Sequence, residues 1–263
     1  MKLEQAFKSG KALIPYIMAG DPDLDFTESL IPALEEAGAD IIEVGLPFSD
    51  PLADGPVIQA AGQRALKSGT TTEKILEMLA RLKGKVKAPL VLMGYYNPIL
   101  QYGAKRFLEA AKESGASGVL VPDLPFDEGE DFYESARLKG ISPIYMVTPN
   151  TPEERLEEIG RRACGFLYCV SLLGITGDAR GPKSGVEEYL KRVRRHSQAP
   201  LALGFGIDSP EKVKAVLHYA DGIVVGSALV NLIAKSPSRD EAIRSAKTFV
   251  SSLKAAATEK VGA

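Results

Sequence analysis

The sequence predicts a single-domain (β/α)8 TIM barrel over residues 1–263, on three observations. Short apolar runs recur eight times, they alternate with segments of 3.6-residue periodicity, and no linker-like stretch interrupts the series. The runs are 13–19, 40–46, 89–95, 118–123, 141–147, 165–171, 200–206 and 222–227. Apolar runs this short and rich in β-branched residues read as strands. The segments between them, 26–37, 72–83, 104–114, 128–139, 152–161, 186–196 and 210–218, read as amphipathic helices. Strict alternation implies parallel pairing through right-handed crossovers. Gly38, Gly115 and Gly140 each stand just before a strand, where helix C-caps favour glycine. Eight such units match a closed barrel; an open doubly wound sheet is the architectural alternative.

Composition narrows the function. The 263 residues are 45% hydrophobic and 25% charged with a formal net charge of −2, enough apolar content for a full core and no excess of base. The cluster Lys191-Arg192-Val193-Arg194-Arg195 reads as the solvated end of a helix, so nucleic acid is not an expected partner. Residues 1–10 are polar and amphipathic, unlike a secretory signal. No run approaches the ~18 apolar residues of a membrane span. Cys164 and Cys169 bracket one apolar strand and read as buried thiols. A soluble protein of a reducing, cytoplasmic compartment is expected.

Residues 43–59, EVGLPFSDPLADGPVIQ, carry the most chemical information. By the two-residue alternation of a strand, Ile42, Val44 and Leu46 share one face and Ile41, Glu43 and Gly45 the other. The bulkier face belongs under the outer helices. Glu43 then points into the barrel near its C-terminal mouth, where catalytic groups of such barrels sit, with Gly45 leaving room for a ligand. Pro47, Pro51 and Pro56 stiffen the following loop, which presents Asp54. A carboxyl in apolar surroundings keeps its proton to higher pH, while one in a wetter setting stays ionised, so the two can divide acid and base roles. The plainer reading is a helix cap at Asp54 and an incidental buried glutamate.

The tips of the last two strands read Gly204-Phe205-Gly206 and Gly226-Ser227. In barrels these loops form a phosphate cradle from backbone N–H groups and a helix N-terminus, to which Ser227 adds a hydroxyl. Ordinary turn chemistry is the alternative. Residues 171–185 make a long, glycine-bearing loop that reads as a lid closing over substrate, or as a mobile insertion. No strand interior contains Lys, so an imine-forming nucleophile is not expected. His196 and His218 fall late in helices, away from the mouth, and no cluster suggests a metal. Ala19-Gly20-Asp21-Pro22 lacks the dinucleotide fingerprint. Carboxylate acid–base chemistry on a small phosphorylated molecule remains.

The 43–59 block closely resembles the signature of the tryptophan synthase α-subunit family, as do Gly20-Asp21-Pro22, Tyr95-Tyr96-Asn97-Pro98, Pro122-Asp123-Leu124-Pro125, Gly174-Ile175-Thr176-Gly177 and Gly204-Phe205-Gly206. The similarity runs in order along essentially the whole chain. It implies metal-free retro-aldol cleavage of indole-3-glycerol phosphate to indole and glyceraldehyde 3-phosphate. Protonation at indole C3 would supply the electron sink. Carried over by motif, Glu43 is the acid–base group and Asp54 holds the indole N–H. Tyr16, Tyr168 and Phe205 form the ring slot, and Tyr16 brings a hydroxyl where relatives commonly have Phe. Thr176 would bond Asp54 on closure, and Gly177, Gly206, Gly226 and Ser227 would hold the phosphate. The resemblance also implies a β-subunit partner in an α2β2 heterotetramer, receiving indole across a face that includes Asp50, Pro51, Asn97 and Pro125. This chain would carry no cofactor, pyridoxal phosphate being expected only in the β subunit. The rival readings are a stand-alone lyase without a β partner, a weakly catalytic activator of the β subunit, and a phosphoribosyl-type isomerase on the same barrel.

Overall fold

Parallel strands buried on both faces need an apolar lining inside the barrel and an apolar sheath outside it. The computed structural model, which describes residues 3–170, 183–204 and 206–259, has both. In chain order its elements are α1 (Leu3–Ala6), β1 (Ala12–Met18), α2 (Leu24–Glu36), β2 (Ile42–Gly45), α3 (Pro56–Lys67), α4 (Thr72–Leu82), β3 (Leu90–Met93), α5 (Tyr96–Tyr102), α6 (Ala104–Glu113) and β4 (Ala116–Leu120). There follow α7 (Glu130–Leu138), β5 (Ser142–Val147), α8 (Glu153–Arg162), β6 (Leu167–Val170), α9 (Lys183–His196), β7 (Leu201–Gly204), α10 (Pro210–Val216), β8 (Gly222–Val225), α11 (Ser227–Lys235) and α12 (Arg239–Thr258). Adjacent strands pair in parallel in sequence order, and β8 closes back on β1. The barrel is closed, and each of the eight predicted runs overlaps one strand, β4 beginning two residues before its run.

The alternation read from β2 is borne out. Ile42, Val44 and Leu46 pack in the outer cluster beneath the helices, and Ile41 lies in the inner one with Ile14, Val91 and Val224. Leu3 of α1 plugs the N-terminal end, where a side chain at Gly118 or Gly165 would strike it. Behind it, Phe7 packs on Phe166 with ring centroids 5.7 Å apart.

Helix ends are finished chemically. Asp23, Thr71, Ser209 and Ser238 cap the N-termini of α2, α4, α10 and α12, each contributing about 1 kcal/mol. Gly38, Gly115 and Gly140 adopt φ of +100°, +93° and +70°, as C-cap glycines must. Around the N-terminal face, a base at the end of one helix donates to the terminal carbonyls of the next. Lys83 reaches Glu113 O at 2.9 Å, Lys112 reaches Gly140 O at 3.2 Å, and Arg137 reaches Arg162 O at 3.3 Å. Cations there offset the negative ends of the helix dipoles.

Two sequence expectations need correction. The basic cluster of α9 is not simply solvated: Arg192 donates to Pro149 O (2.7 Å) and Thr151 O (3.1 Å), and Arg194 pairs with Asp221. Periodicity marked the helix end but could not show that a neighbouring loop lay within reach of these long side chains. Of the two thiols, Cys169 is buried but Cys164 is only partly so. The helices α1, α5, α11 and α12 were not separately predicted.

Gly160 lets α8 approach the end of α9, since a Cβ there would overlap the His196 carbonyl group. Helix propensity alone favours alanine by ~1 kcal/mol. Overpacking against backbone reverses the sign, so Gly160→Ala is expected to lower the unfolding free energy by about 1–3 kcal/mol in urea denaturation.

Candidate active site

Glu43 sits on β2 in register with Tyr16 of β1 and Val91 of β3. It is 2% exposed, and neither carboxyl oxygen has a hydrogen-bond partner among the described residues. Ionising it would strand a charge in a nearly dry interior. Burial, and next the negative charge of Asp54, push its pKa up from 4.5 to about 8.

Asp54 is placed by the loop between β2 and α3. Its backbone N–H donates to Pro51 O at 3.2 Å, and Gln59 Nε2 donates to Asp54 O at 2.8 Å. Phe48 packs on Tyr95 with centroids 5.5 Å apart, and Ala53 N–H donates to the Tyr95 hydroxyl at 3.0 Å. Partial burial raises the Asp54 pKa to about 6, against the opposing hydrogen bond from Tyr95. Helix α3 has Gly55 as its N-cap with no side-chain capping bond, so Asp54 is not a helix cap. At pH 7 Glu43 is mainly protonated and Asp54 mainly ionised, the separation of roles that two such environments produce.

Two tyrosines line the same mouth. Both Tyr16 and Tyr168 are buried, and burial together with the charges of Asp54 and Glu43 raises both phenol pKa values well above normal. The space expected above Gly45 is not open: a Cβ there would overlap the Tyr16 hydroxyl and lie 2.7 Å from its ζ carbon. Gly204 likewise makes way for the Tyr168 ring. Strand-tip glycines therefore seat phenol rings, because a long inward side chain leans over the neighbouring strand. On the other side of Tyr16, Gly226 is the N-cap of α11, and its Cβ position lies 3.6 Å from Tyr16 Cβ. Ser227 is exposed at the first position of α11, which has no acid in its first turn. Gly206 is exposed with φ +79°, a conformation that favours glycine. Phe205, Thr176 and Gly177, and the lid 171–185 as far as residue 182, lie outside the described residues.

Asp50 and Pro125 are exposed and Pro51 partly so, on the loops after β2 and β4; exposed Asn97 lies not on a loop but in the first turn of α5, which follows β3. Leu52 on the loop after β2 and Leu100 in α5 are 94% and 54% exposed. Asp123 accepts from Tyr96 N–H at 2.8 Å, joining the loop after β4 to the start of α5. Asp21 is buried and holds Arg64 of α3 through two 2.7 Å contacts. Sequence reasoning gave Tyr95 no role of its own. Its signal was present, a tyrosine just past the tip of the strand beside Glu43, but nothing local showed which loop it would hold.

A closed barrel with a protonated acid, an ionised carboxylate and aromatic rings at its C-terminal mouth defines a barrel enzyme of acid–base type. The family model described as tryptophan synthase alpha chain matches residues 3–258. The tryptophan synthase alpha chain of Petrotoga mobilis is 54% identical over 254 residues, spanning 96% of this chain and 98% of its own. That of Geobacter sulfurreducens is 46% identical over 253 residues, spanning 96% of each. The subunit alpha structure from Legionella pneumophila superposes with a TM-score of 0.91 at 35% identity, covering 99% of this chain and 100% of that one. A chain of the tryptophan synthase complex of Pyrococcus furiosus superposes at 0.85 with 41% identity, covering 94% and 99%. The chain belongs to the tryptophan synthase alpha chain family.

Glu43 is expected to cost stability at high pH. Its folded pKa of about 8 exceeds the ordinary 4.5, so the unfolded chain releases the proton first and folding weakens as pH rises between those values. Glu43→Gln stays neutral in both states. Its stability relative to the parent should grow by about 1.4 kcal/mol per pH unit across that interval and level off above it, as read by urea denaturation at several pH values.

Proposed function

We propose that Glu43 and Asp54 perform, as an acid–base pair, the lyase reaction of this family, the cleavage of indole-3-glycerol phosphate to indole and glyceraldehyde 3-phosphate. The observation that carries the assignment is the buried carboxyl of Glu43, without a hydrogen-bond partner among the described residues, its pKa raised to about 8 by burial and then by the charge of Asp54. The indole ring lies in the slot of Tyr16, Tyr168 and Phe205, with its N–H donating to Asp54. Glu43 gives its proton to C3, which leaves an iminium-type ring nitrogen whose positive charge Asp54 offsets. The Glu43 carboxylate then takes the proton of the glycerol hydroxyl beside the ring. As the carbonyl forms, the carbon–carbon bond breaks and its electrons return to the ring. Glu43 ends as it began, protonated, and the substrate itself is the electron sink.

The phosphate is assigned to Gly177, Gly206, Gly226 and Ser227. The N-terminus of α11 supports this, offering first-turn backbone N–H groups with no side-chain cap and the positive end of a helix dipole. Thr176 is assigned to Asp54 in the closed state. The chain works without a cofactor of its own, in the cytoplasm, and passes indole to a pyridoxal-phosphate β subunit within an α2β2 assembly. The face for that partner contains Asp50, Pro51, Asn97 and Pro125. Exposed Leu52 and Leu100 favour a covered rather than a bare rim.

Indole release from indole-3-glycerol phosphate tests the assignment. Glu43→Gln is expected to lower kcat by about 10²–10⁴-fold, with KM within a few-fold, since only proton transfer is lost. Asp54→Asn is expected to impair both kcat and KM. Adding a β subunit should raise the rate of the parent chain. A near-normal rate in Glu43→Gln would overturn the acid–base role, and a rate indifferent to the β subunit would overturn the partnership.

A further inference from the structure

We propose that the Tyr16 hydroxyl is a positioning donor for Glu43, receiving the carboxylate that forms when the acid gives up its proton. The inference deepens the reading of Glu43 as the proton donor and rests on it.

The geometry isolates this hydroxyl. Tyr16 and Glu43 are register partners on adjacent strands, as are Met18 and Gly45. The tyrosine does not stay beside its partner; it leans towards the mouth until its hydroxyl occupies the Cβ position that Gly45 leaves empty. Gly45 lies on the same inward face as Glu43, two residues on and roughly 7 Å along the strand. A glutamate side chain that swings towards the mouth reaches that point. A side chain at Gly226 would just touch the tyrosine Cβ, so the glycine leaves the base of the ring uncrowded.

Electrostatics assign the donor. The groups acting on the Tyr16 hydroxyl are Asp54 from the loop after β2, Glu43 from β2, Tyr95 from the tip of β3 and Tyr168 from β6. Asp54 already has the Tyr95 hydroxyl as a donor. Among the described residues Glu43 has none, nor does any base there shift its titration. Burial, and next the charges of Asp54 and of ionised Glu43, hold the phenol proton in place. Tyr16 therefore donates a hydrogen bond without surrendering the proton. The balance is simple: the proton that reaches the ring is the carboxyl proton of Glu43, and the one taken from the glycerol hydroxyl restores it. A buried carboxylate lacking any donor would be a poor product of that first step, and a hydrogen bond to a charged group is the stronger kind.

Tyr16→Phe deletes one oxygen and keeps the ring. The expected result is a kcat lowered roughly tenfold to hundredfold with KM within about threefold, the range that one charged hydrogen bond spans. The alkaline limb of the pH profile should move to higher pH, because a carboxylate without its donor holds the proton more tightly. A purely packing role would alter KM and leave that limb in place. The second readout needs no turnover: carbon-13 NMR of the Glu43 carboxyl, assigned by its loss in Glu43→Gln, should titrate at higher pH in Tyr16→Phe than in the parent. An unmoved NMR titration would overturn the proposal. If the parent releases no indole, the lyase assignment fails, while the titration still decides whether Tyr16 and Glu43 are paired.

Discussion

A carboxylic acid inside the barrel, with neither oxygen hydrogen-bonded among the described residues, rests as the neutral acid, because its anion would have lost its water with no cation beside it. The requirement reaches through the rest of the molecule. The interior must stay dry, so α1 and Leu3 plug the N-terminal end and Phe7 closes over Phe166. The mouth must stay shaped, so the loop carrying Asp54 is held through Ala53 and Phe48 to Tyr95, and the loop after β1 is tied to α3 through Asp21 and Arg64. Among the described residues no base shifts the titration of either carboxyl: burial and the Asp54 charge set Glu43, and burial and Tyr95 set Asp54.

Phenols do in this site what cations do in many others. Tyr95 donates to Asp54 and lowers its pKa against the cost of burial, while Tyr16 and Tyr168 stand over strand-tip glycines with their protons held by burial and then by the charges of Asp54 and Glu43. A lysine or arginine in the same place would ionise Glu43 outright and remove the acid. Neutral donors leave the carboxyl proton available for transfer, and the low dielectric of the interior strengthens each hydrogen bond that forms during the reaction.

The barrel was legible because its signal is local and repeated: eight apolar runs, periodic segments between them, and glycines such as Gly38 and Gly140 where helices end. The inward direction of Glu43 followed from alternation alone. Asp54 was legible as a loop carboxylate, and the absence of a cap at the start of α3 removed its competing explanation. Other features depend on long-range placement and left no local mark. Tyr16 filling the space above Gly45 requires knowing how far an inward ring leans across the next strand. The Tyr95–Ala53 bond joins residues 42 positions apart. The bonds from Arg192 and Arg194 reverse a reading that, from composition, was simply a solvated helix end. The short helix α1 matters for what it plugs, which no periodicity in four residues can convey.

The protonation state of Glu43 in the resting protein is the most direct test of this chemistry. An infrared difference spectrum between the parent chain and Glu43→Gln at pH 7 reads it without substrate or partner. The expected spectrum contains the carbonyl stretch of a protonated carboxylic acid, giving way to carboxylate bands as pH rises through about 8. Carboxylate bands already dominant at pH 7, with no acid carbonyl to lose, would contradict the claim that the barrel stores a proton there.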